Sequence, residues 1–366
     1  MQRSILLFSL LLSFSLVRAQ QEPTLNPNEF HKPAQNPVLG PDSSYRFLDP
    51  VSGKEVRWQR ADVFNPAAIV RNHEVCVLFR SEDNPAAAIG GRTSRIGLAR
   101  STDGIHFKKY PLPVLYPAKD GFGKYDHPGG CEDPRIVQTT GGTYVLLYTS
   151  WNGKVARLSV AFSKDLIHWQ KKGPAFLRAD GGKFKDTWSK SGSVVTRMDH
   201  GRIVAAKIQG KYWMYWGEQF INLAWSDNLY DWHPLLDDSG KLRVIAKPRP
   251  KKFDSDLTEC GPPAIITNKG IVLIYNGKNA TNENADPALP KGMYSTGEII
   301  FDPKDPTQVI GRSDTCFLRP TLPHELSGQY RAGTTFAEGL VYFKGKWILY
   351  YGTADSYVGV AEAPAK

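Results

Sequence analysis

Cysteine is scarce in this sequence, and the few cysteines are scattered. Only four occur in 366 residues, at Cys76, Cys131, Cys260 and Cys316. Their spacings match neither a Cys-x-x-Cys pair nor another zinc-ligand pattern, so the sequence predicts no metal centre, and it indicates no cofactor. Four cysteines in a chain of this length do not form a disulfide scaffold either, and we expect buried free thiols.

Long apolar runs are also missing. The one stretch that bears on a membrane, Ile5 to Val17 behind Arg3, is too short to span a bilayer comfortably. Its basic start and apolar core are typical of a secretory signal peptide over residues 1–19, cleaved after Ala19. No cysteine follows the core, which disfavours a lipoprotein anchor. We therefore expect an exported protein, periplasmic in a Gram-negative bacterium, that does not associate with the membrane after cleavage.

Charge of one sign is not concentrated anywhere. The formal net charge is +10, but lysine and arginine are spread along the chain, with only short clusters such as Lys247 to Lys252. No recognisable nucleic-acid-binding motif accompanies them, so the sequence predicts no nucleic-acid partner. It does not indicate an oligomeric state.

A short signature recurs three times. Ala99-Arg-Ser-Thr-Asp-Gly-Ile-His-Phe107 is repeated as Ala161-Phe-Ser-Lys-Asp-Leu-Ile-His-Trp169 and as Ala224-Trp-Ser-Asp-Asn-Leu-Tyr-Asp-Trp232. The serines of the three copies are 62 and 63 residues apart. Each copy predicts a strand that ends in a polar turn, followed by an aromatic residue that begins the next strand.

A second series of β-branched and aromatic runs interleaves with the first. The five runs end at Phe79, Tyr148, Tyr215, Tyr275 and Tyr351, with spacings of 69, 67, 60 and 76 residues. No long segment of helical period interrupts them. Several strands in each repeat of this length indicate radially repeated sheets. A tandem β-sandwich also has many short strands, but it would not repeat one signature five times.

The sequence therefore predicts an all-β fold, a single five-bladed β-propeller with an axial active-site pocket. The expected organisation is a signal peptide over residues 1–19, an N-terminal extension over 20–40 and the catalytic propeller over 41–366.

The repeats also indicate where the site lies. After the last aromatic residue of each run come polar or charged residues at matching offsets, and equivalent offsets should point to the same end of the axial channel. They are Arg80, Glu82 and Asp83, then Trp151 and Asn152, then Glu218 and Gln219, then Asn276 and Asn279, and finally Asp355. A ring of solvated loop residues would give the same pattern. Nearby tryptophans, each of them alone more typical of a core, favour a sugar pocket, because sugar C–H faces stack on aromatic rings.

The most distinctive string is Gly129-Gly-Cys-Glu-Asp-Pro-Arg-Ile-Val137. Two adjacent carboxyl groups, Glu132 and Asp133, can be driven to different pKa values, and Arg135 can keep one of them ionised. Without context, the string is equally compatible with a charged turn.

In this segment and four others the chain resembles glycoside hydrolase family 130. The other matches are Phe64-Asn-Pro66 with Arg80, the Ser-x-Asp repeats, Ile300-Phe-Asp-Pro-Lys-Asp-Pro306 and Tyr351-Gly-Thr-Ala-Asp355. They keep the family's order from about residue 60 to the end of the chain. The resemblance implies a five-bladed propeller, in agreement with the repeat count. It also implies an enzyme acting on β-mannosides, either an inverting phosphorylase or a hydrolase of β-1,2-linked mannosides.

The resemblance further implies roles for single residues. Asp133 matches the general acid of the family, which reaches the glycosidic oxygen through the 3-hydroxyl of the mannose in the −1 subsite. Asn65, Arg80 and Asp355 match positions that hold this mannose, and Arg95 is a weaker match. Without the resemblance, Asn65 would be a turn residue and Arg80 part of an ion pair.

The chain departs from the phosphorylases where they bind phosphate. Phosphate needs cationic donors, but Trp216-Gly217 stands in place of His-Arg, Asn276 in place of a histidine, and Trp151 in place of an arginine. We therefore expect Asn276 and Trp151 to contact the sugar.

Two carboxylates, Glu218 and Glu259, are gained in the same regions. A carboxylate repels phosphate but can deprotonate water, so we expect these glutamates to activate water, without deciding which of them is the base. Pairing with basic residues on the rim is the other interpretation of both. The predicted function is an inverting exo-β-1,2-mannosidase acting on a β-mannoside oligosaccharide. The alternatives are a phosphorylase and a non-catalytic glycan-binding propeller.

Overall fold

The computed structural model describes residues 23–88 and 91–365, and these residues are mostly β-strand. Its helices in this part of the chain are one short α-helix and three short 3₁₀ helices, at Gly123–Asp126, Pro27–Glu29, Ala179–Gly182 and Pro323–Glu325. None of them is long and apolar enough to cross a membrane. The predicted signal peptide lies outside the described residues.

The first two blades are regular four-stranded antiparallel sheets. A small hairpin of β1 (Phe47–Leu48) and β2 (Glu55–Val56) precedes them. Blade 1 consists of β3 (Asp62–Arg71), β4 (Glu74–Glu82), β5 (Ser94–Ser101) and β6 (Lys108–Lys109). Blade 2 consists of β7 (Gly130–Gln138), β8 (Tyr144–Trp151), β9 (Ala156–Ser163) and β10 (Trp169–Pro174).

Blades 3 and 4 are interrupted. Blade 3 consists of β11 (Ser193–Val194), β12 (Thr196–Asp199), β13 (Arg202–Ala205), β14 (Lys207–Ile208), β15 (Lys211–Trp216), β16 (Ile221–Ser226), β17 (His233–Pro234) and β18 (Val244–Ala246). Blade 4 consists of β19 (Leu257–Cys260), β20 (Ile265–Thr267), β21 (Gly270–Lys278), β22 (Tyr294–Phe301) and β23 (Val309–Arg312). Both β19 and β20 pair with β21, so they are two halves of one inner strand.

Both ends of the described chain build blade 5. Its strands β24 (Thr335–Phe343), β25 (Lys346–Thr353) and β26 (Tyr357–Pro364) form an antiparallel sheet. The N-terminal segment supplies the outer edge, because His31 pairs with Glu362 and Leu39 with Val358. Part of the predicted extension over 20–40 is therefore integrated into the last blade, and this pairing closes the ring.

The packing of the core shows the ring directly. Among the described residues, five apolar clusters occur, and each joins two successive blades. One of them joins blade 5 to blade 1, where Val341 and Ile348 pack with Val63 and Val75. A row of blades without closure would lack this fifth cluster, so the predicted five-bladed propeller is confirmed.

The repeats recognised in the sequence correspond to particular strands. The five aromatic runs are the second strands of the blades, β4, β8, β15, β21 and β25. The three serine signatures are turns that follow third strands. In each of them the serine hydroxyl accepts two backbone N–H bonds, and the Asp or Asn two residues later accepts two more. All four cysteines are free thiols, and three are buried.

Candidate active site

A cavity of about 140 Å³ lies at the predicted end of the axial channel. Every blade contributes to it or borders it, and its wall combines carboxylates and cations with aromatic rings. The lining residues are Phe64, Asn65, Arg80, Asp133, Lys190, Glu218, Glu259, Tyr294, Tyr330, Thr334, Phe336 and Asp355. Six of these were predicted from the sequence as site residues, namely Asn65, Arg80, Asp133, Glu218, Glu259 and Asp355.

Two inner strands place side chains in the cavity by the same distortion. Asn65 on β3 and Asp133 on β7 both have φ of +47°, and each precedes a proline. The register of each strand shifts at this point, as in a β-bulge. Asn and Asp tolerate the left-handed region better than other residues with a side chain, which explains the residue types at these positions. Asn65 also needs Gly352 opposite, since a Cβ there would lie 2.1 Å from Oδ1 of Asn65.

Arg80 connects the acidic residues at the base of the cavity. Its Nη1 donates to Oδ1 of Asp133 at 3.1 Å, and its Nη2 donates to Glu132 at 3.0 Å and to Glu82 at 2.7 Å. Asn65 Nδ2 donates to the same Asp133 oxygen at 2.8 Å. Buried charges need such partners, so the cluster is held together by one guanidinium.

The two adjacent acids titrate in opposite directions. Burial raises the pKa of Glu132 to about 7, although Arg80 opposes it. Burial would also raise the pKa of Asp133, but Arg80, Lys190 and Arg135 outweigh it, and the pKa of Asp133 falls below its usual value. Asp133 is thus ionised in the empty cavity.

Lys190 is the main residue that the sequence analysis missed. Its Nζ lies 3.6 Å from Glu218 Oε1 and 3.9 Å from Asp133 Oδ2. Burial lowers the pKa of Lys190, but the nearby carboxylates of Glu218, Asp133 and Glu259 outweigh this effect. The net result is a raised pKa, so the ammonium group stays charged. Lys190 precedes the inner strand of blade 3, outside the offsets that follow the second strands. Aligning inner strands, which carry Asn65 and Asp133 in blades 1 and 2, would have directed attention to this segment.

The two glutamates are each held by one further donor. Trp188 Nε1 donates to Glu218 Oε2 at 2.7 Å. The Ser191 hydroxyl donates to Glu259, which lies on β19. Burial raises the pKa of Glu259 to about 7, and Lys190 opposes this rise. Near neutral pH, Glu259 is therefore poised to accept or release a proton.

Asp355 completes the cavity from the loop between β25 and β26. Its φ is +53°, and its carbonyl accepts a bond of 2.7 Å from Gln329 Nε2. Burial raises the pKa of Asp355 to about 6, against the effect of Arg80.

Three predicted sugar-contacting residues lie outside the cavity lining, which corrects the sequence analysis. Arg95, on the third strand of blade 1, binds Asp49 and Asp83 at 2.6 and 2.8 Å. Asn276 bonds both polar atoms of its amide to the backbone of Ala337 and so joins blades 4 and 5.

Trp151 is the third of these residues, and it packs edge-on against Trp188 at 5.9 Å. The offsets after the second strands thus point to the end of the propeller where this cavity lies, but one offset does not have one fate: Arg80 and Asn276 both directly follow the last aromatic residue of their runs, and only Arg80 lines the cavity.

Beneath the cavity, a buried pair links blade 2 to blade 5. Arg135 Nη1 lies 2.8 Å from Glu338 Oε1 and also donates to the carbonyl of Asp133 at 3.1 Å. The same guanidinium donates to the carbonyl of Cys260 at 2.8 Å. Arg135, which was predicted to neutralise one of two acids, therefore also fixes the backbone of Asp133. In residues 23–88 and 91–365, no group of three or more His, Cys, Asp or Glu side chains is arranged to hold a metal ion.

Comparison with known proteins identifies relatives over nearly the whole chain. The family model of glycoside hydrolase family 130, described as beta-1,4-mannooligosaccharide phosphorylase, matches residues 32–366. A curated 1,2-beta-oligomannan phosphorylase of Thermoanaerobacter sp. (strain X514) is 31% identical over 84% of this chain and 91% of its own.

Solved structures agree with this relationship. A candidate glycoside hydrolase from Parabacteroides distasonis is 54% identical, with a TM-score of 0.90 over 92% of this chain and 96% of its own. Another structure is 48% identical, with the same TM-score and the same coverage of both chains. It is described under the finding that the GH130 family of mannoside phosphorylases contains glycoside hydrolases that target β-1,2-mannosidic linkages in Candida mannan.

Proposed function

This chain belongs to glycoside hydrolase family 130, and we propose that it is an inverting exo-β-1,2-mannosidase, which hydrolyses β-1,2-linked manno-oligosaccharides to mannose. Support comes from the charge and shape of the cavity. The rings of Tyr294 and Phe336 line the cavity and suit the C–H faces of a sugar, and polar groups line the same cavity.

Several polar groups are available to hold the terminal mannose. Oδ1 of Asn65 is buried and has no hydrogen-bond partner in the described part of the chain, although Nδ2 of the same amide is engaged. This oxygen packs against Gly352, so a sugar hydroxyl would be held instead by the second N–H of the same amide, since Asn65 lines the cavity. We assign this role to Asn65, together with Arg80 and Asp355 on either side.

The observation that favours hydrolysis over phosphorolysis is that two glutamates, Glu218 and Glu259, lie in the cavity wall. Phosphate would have to approach both carboxyl groups, whereas water can be deprotonated by one of them. The sequence comparison suggested that cations are lost from this region, and Lys190 corrects that view. Its ammonium group, however, is already close to Glu218 and Asp133, so it neutralises acids that phosphate would meet.

We assign Asp133 as the general acid, acting through the 3-hydroxyl of the bound mannose. An acid must carry a proton, but Arg80 and Lys190 keep Asp133 ionised in the empty cavity. Sugar binding expels water from around this carboxyl group, and desolvation raises the pKa of an acid. Protonation of Asp133 is therefore coupled to substrate binding in this proposal.

Phosphorolysis is the second candidate function, because Lys190 supplies a cation in the cavity and the curated relative named above is a phosphorylase. The deciding experiment is incubation with β-1,2-mannobiose with and without phosphate, followed by identification of the products. We expect mannose in both cases at equal rates. Formation of α-mannose 1-phosphate would contradict hydrolysis, and no turnover of any mannoside would favour a glycan-binding propeller.

We also propose that the protein is exported to the periplasm. The support is the basic start and short apolar core of residues 1–19. Fractionation of the native host, with the N-terminus of the mature protein sequenced, tests this. An intact residue 1 in the cytoplasmic fraction would contradict export.

A further inference from the structure

A second depression adjoins the cavity on the side of blade 3. It is a groove of about 430 Å³ that runs from Trp188 past the turn between β15 and β16 to Val244 and Leu257. Glu218 lines both the cavity and the groove. The two spaces therefore meet at one of the carboxylates to which water activation is assigned.

Apolar side chains are unusually exposed along this groove. Trp188 is 51% exposed, Val244 45% and Phe220 40%, and these three belong to the few large apolar residues exposed in the described part of the chain. Exposed apolar residues that gather at one place mark a binding surface more often than scattered ones do. Trp188 is also fixed in orientation, because its indole N–H is bonded to Glu218.

The groove also contains polar groups suited to a neutral ligand. The amide side chains of Gln219 and Asn222 line it. Asp256 and Glu218 also line it, and each lies close to a lysine, Lys278 at 3.0 Å and Lys190 at 3.6 Å, so these charges largely balance. Aromatic and aliphatic surfaces, amides and carboxylates together suit the C–H faces and hydroxyls of a carbohydrate.

We propose that this groove binds the sugar units beyond the scissile bond, with Phe220 and Val244 as determinants of chain-length preference. The inference rests on the proposed exo-mannosidase activity. Because an exo-acting enzyme holds only the terminal unit in its cavity, the rest of the oligosaccharide must leave through the mouth. The groove offers a continuous path from Glu218, with Trp188 as a rigid platform beside the opening.

The test compares β-1,2-mannobiose, mannotriose and mannotetraose as substrates of the whole mature protein. We expect kcat/KM of the wild type to rise with chain length. Phe220→Ala and Val244→Ser should each lower kcat/KM for the two longer substrates by about threefold to tenfold, the size of a lost aromatic or apolar contact. Turnover of mannobiose should change by less than twofold, since its one unit beyond the scissile bond reaches only the Trp188 end of the groove, next to the cavity, and not Phe220 or Val244. Ile310→Ala, which removes an exposed apolar side chain on blade 4, is the matched control.

Each outcome supports or contradicts a separate statement. Loss of the chain-length advantage in the two groove variants, with mannobiose turnover retained, supports the groove as the binding site. Turnover without any chain-length advantage in the wild type, or an advantage that survives both substitutions, overturns the groove and leaves the proposed activity intact. If none of the three oligosaccharides is turned over, the proposed activity fails, and the groove assignment fails with it.

Discussion

Nζ of Lys190 lies 3.9 Å from Oδ2 of Asp133, so one cation neutralises the proposed acid while it also contacts Glu218. Two carboxyl groups with opposite tasks need different proton affinities. Lys190 and Arg80 lower the pKa of Asp133, whereas burial raises the pKa of Glu259 in spite of Lys190. An acid needs a raised pKa and a base a lowered one, so without substrate the two pKa shifts are the reverse of what the assigned roles need. The proposed roles therefore require that the bound sugar changes the pKa values of both carboxyl groups.

The first prediction concerns Asp133. Asp133→Asn keeps the size of the side chain but cannot supply a proton, and general acid catalysis contributes ~10²–10⁴-fold. We expect kcat on β-1,2-mannobiose to fall by at least this factor, while calorimetry still detects mannoside binding. Glu132→Gln is the matched variant, since Glu132 contacts Arg80 but does not line the cavity. Near-normal kcat in Asp133→Asn with a large loss in Glu132→Gln would transfer the acid role to Glu132.

The second prediction concerns the two glutamates. Glu218→Gln and Glu259→Gln should each lower turnover strongly, and the double substitution should cost less than the product of the two effects, because groups that act on one water molecule are not additive. The first sugar released by the wild type should be α-mannose, observed by NMR before mutarotation. An inverting site also requires acid and base carboxyl groups ~6.5–9.5 Å apart.

Azide provides an independent check of the same assignment. Removal of both negative charges should admit this anion, so the double variant with Asp133 intact should form α-mannosyl azide from an activated β-mannoside. Glu298→Gln, on β22 and outside the cavity, is the control. Wild-type rates in both single variants, or β-mannose as the first product, would show that the glutamates do not activate water.

The fold was largely predictable because each blade repeats one strongly patterned strand. The second strands are buried on both faces. Their sequences are therefore continuous runs of apolar residues, which end at residues such as Tyr148 and Tyr275. The closure of blade 5 was not predictable, since the segment around Asn36 is polar and rich in proline and has no strand pattern of its own. Its pairing depends on β26, which lies more than 300 residues later in the chain.

The site was predictable where function depends on a repeated position or a rare motif. Asp133 and Arg80 follow from such signals, and both line the cavity. Lys190, Tyr330 and Thr334 come from irregular segments before the inner strands of blades 3 and 5, where only the tertiary structure determines which side chain reaches the axis. Asn276 shows the opposite error, since a polar residue at a matching offset bonds to a neighbouring blade.

The third prediction tests the ring closure. Leu39 is buried against Val358 and Val360 at the outer edge of blade 5. Leu39→Ala should lower the free energy of unfolding by about 2–5 kcal/mol, as expected for a large-to-small substitution in a core. Denaturant unfolding should show a lower midpoint with an unchanged slope. Leu48→Ala, at a leucine that is 68% exposed, should change stability little, and equal stability of both variants would contradict the packing of the N-terminal segment on this blade.

The fourth prediction concerns the pH dependence of hydrolysis. A general base must be ionised, and burial raises the pKa of Glu259 to about 7 in the free enzyme. We therefore expect kcat, measured at saturating substrate so that the bound sugar keeps Asp133 protonated, to rise with pH as Glu259 ionises and then to level off; this rise is the acidic limb of the profile. The Ser191 hydroxyl donates a hydrogen bond to Glu259 and stabilises its ionised form. Ser191→Ala should raise the pKa of Glu259 further and move the acidic limb to higher pH. The rate on the plateau above the limb should change little.

A neighbouring serine supplies the control for this shift. The Ser193 hydroxyl donates to the carbonyl of Pro262 and has no bond to Glu259, so Ser193→Ala should leave the limb where it is in the wild type. Glu259→Gln should abolish the limb together with most of the activity, because the titrating group is then missing. If the limb persists in the residual activity of Glu259→Gln, or moves equally in both serine variants, a group other than Glu259 controls the profile. Glu218, on the other side of Lys190, would then be the base to test by the same measurement.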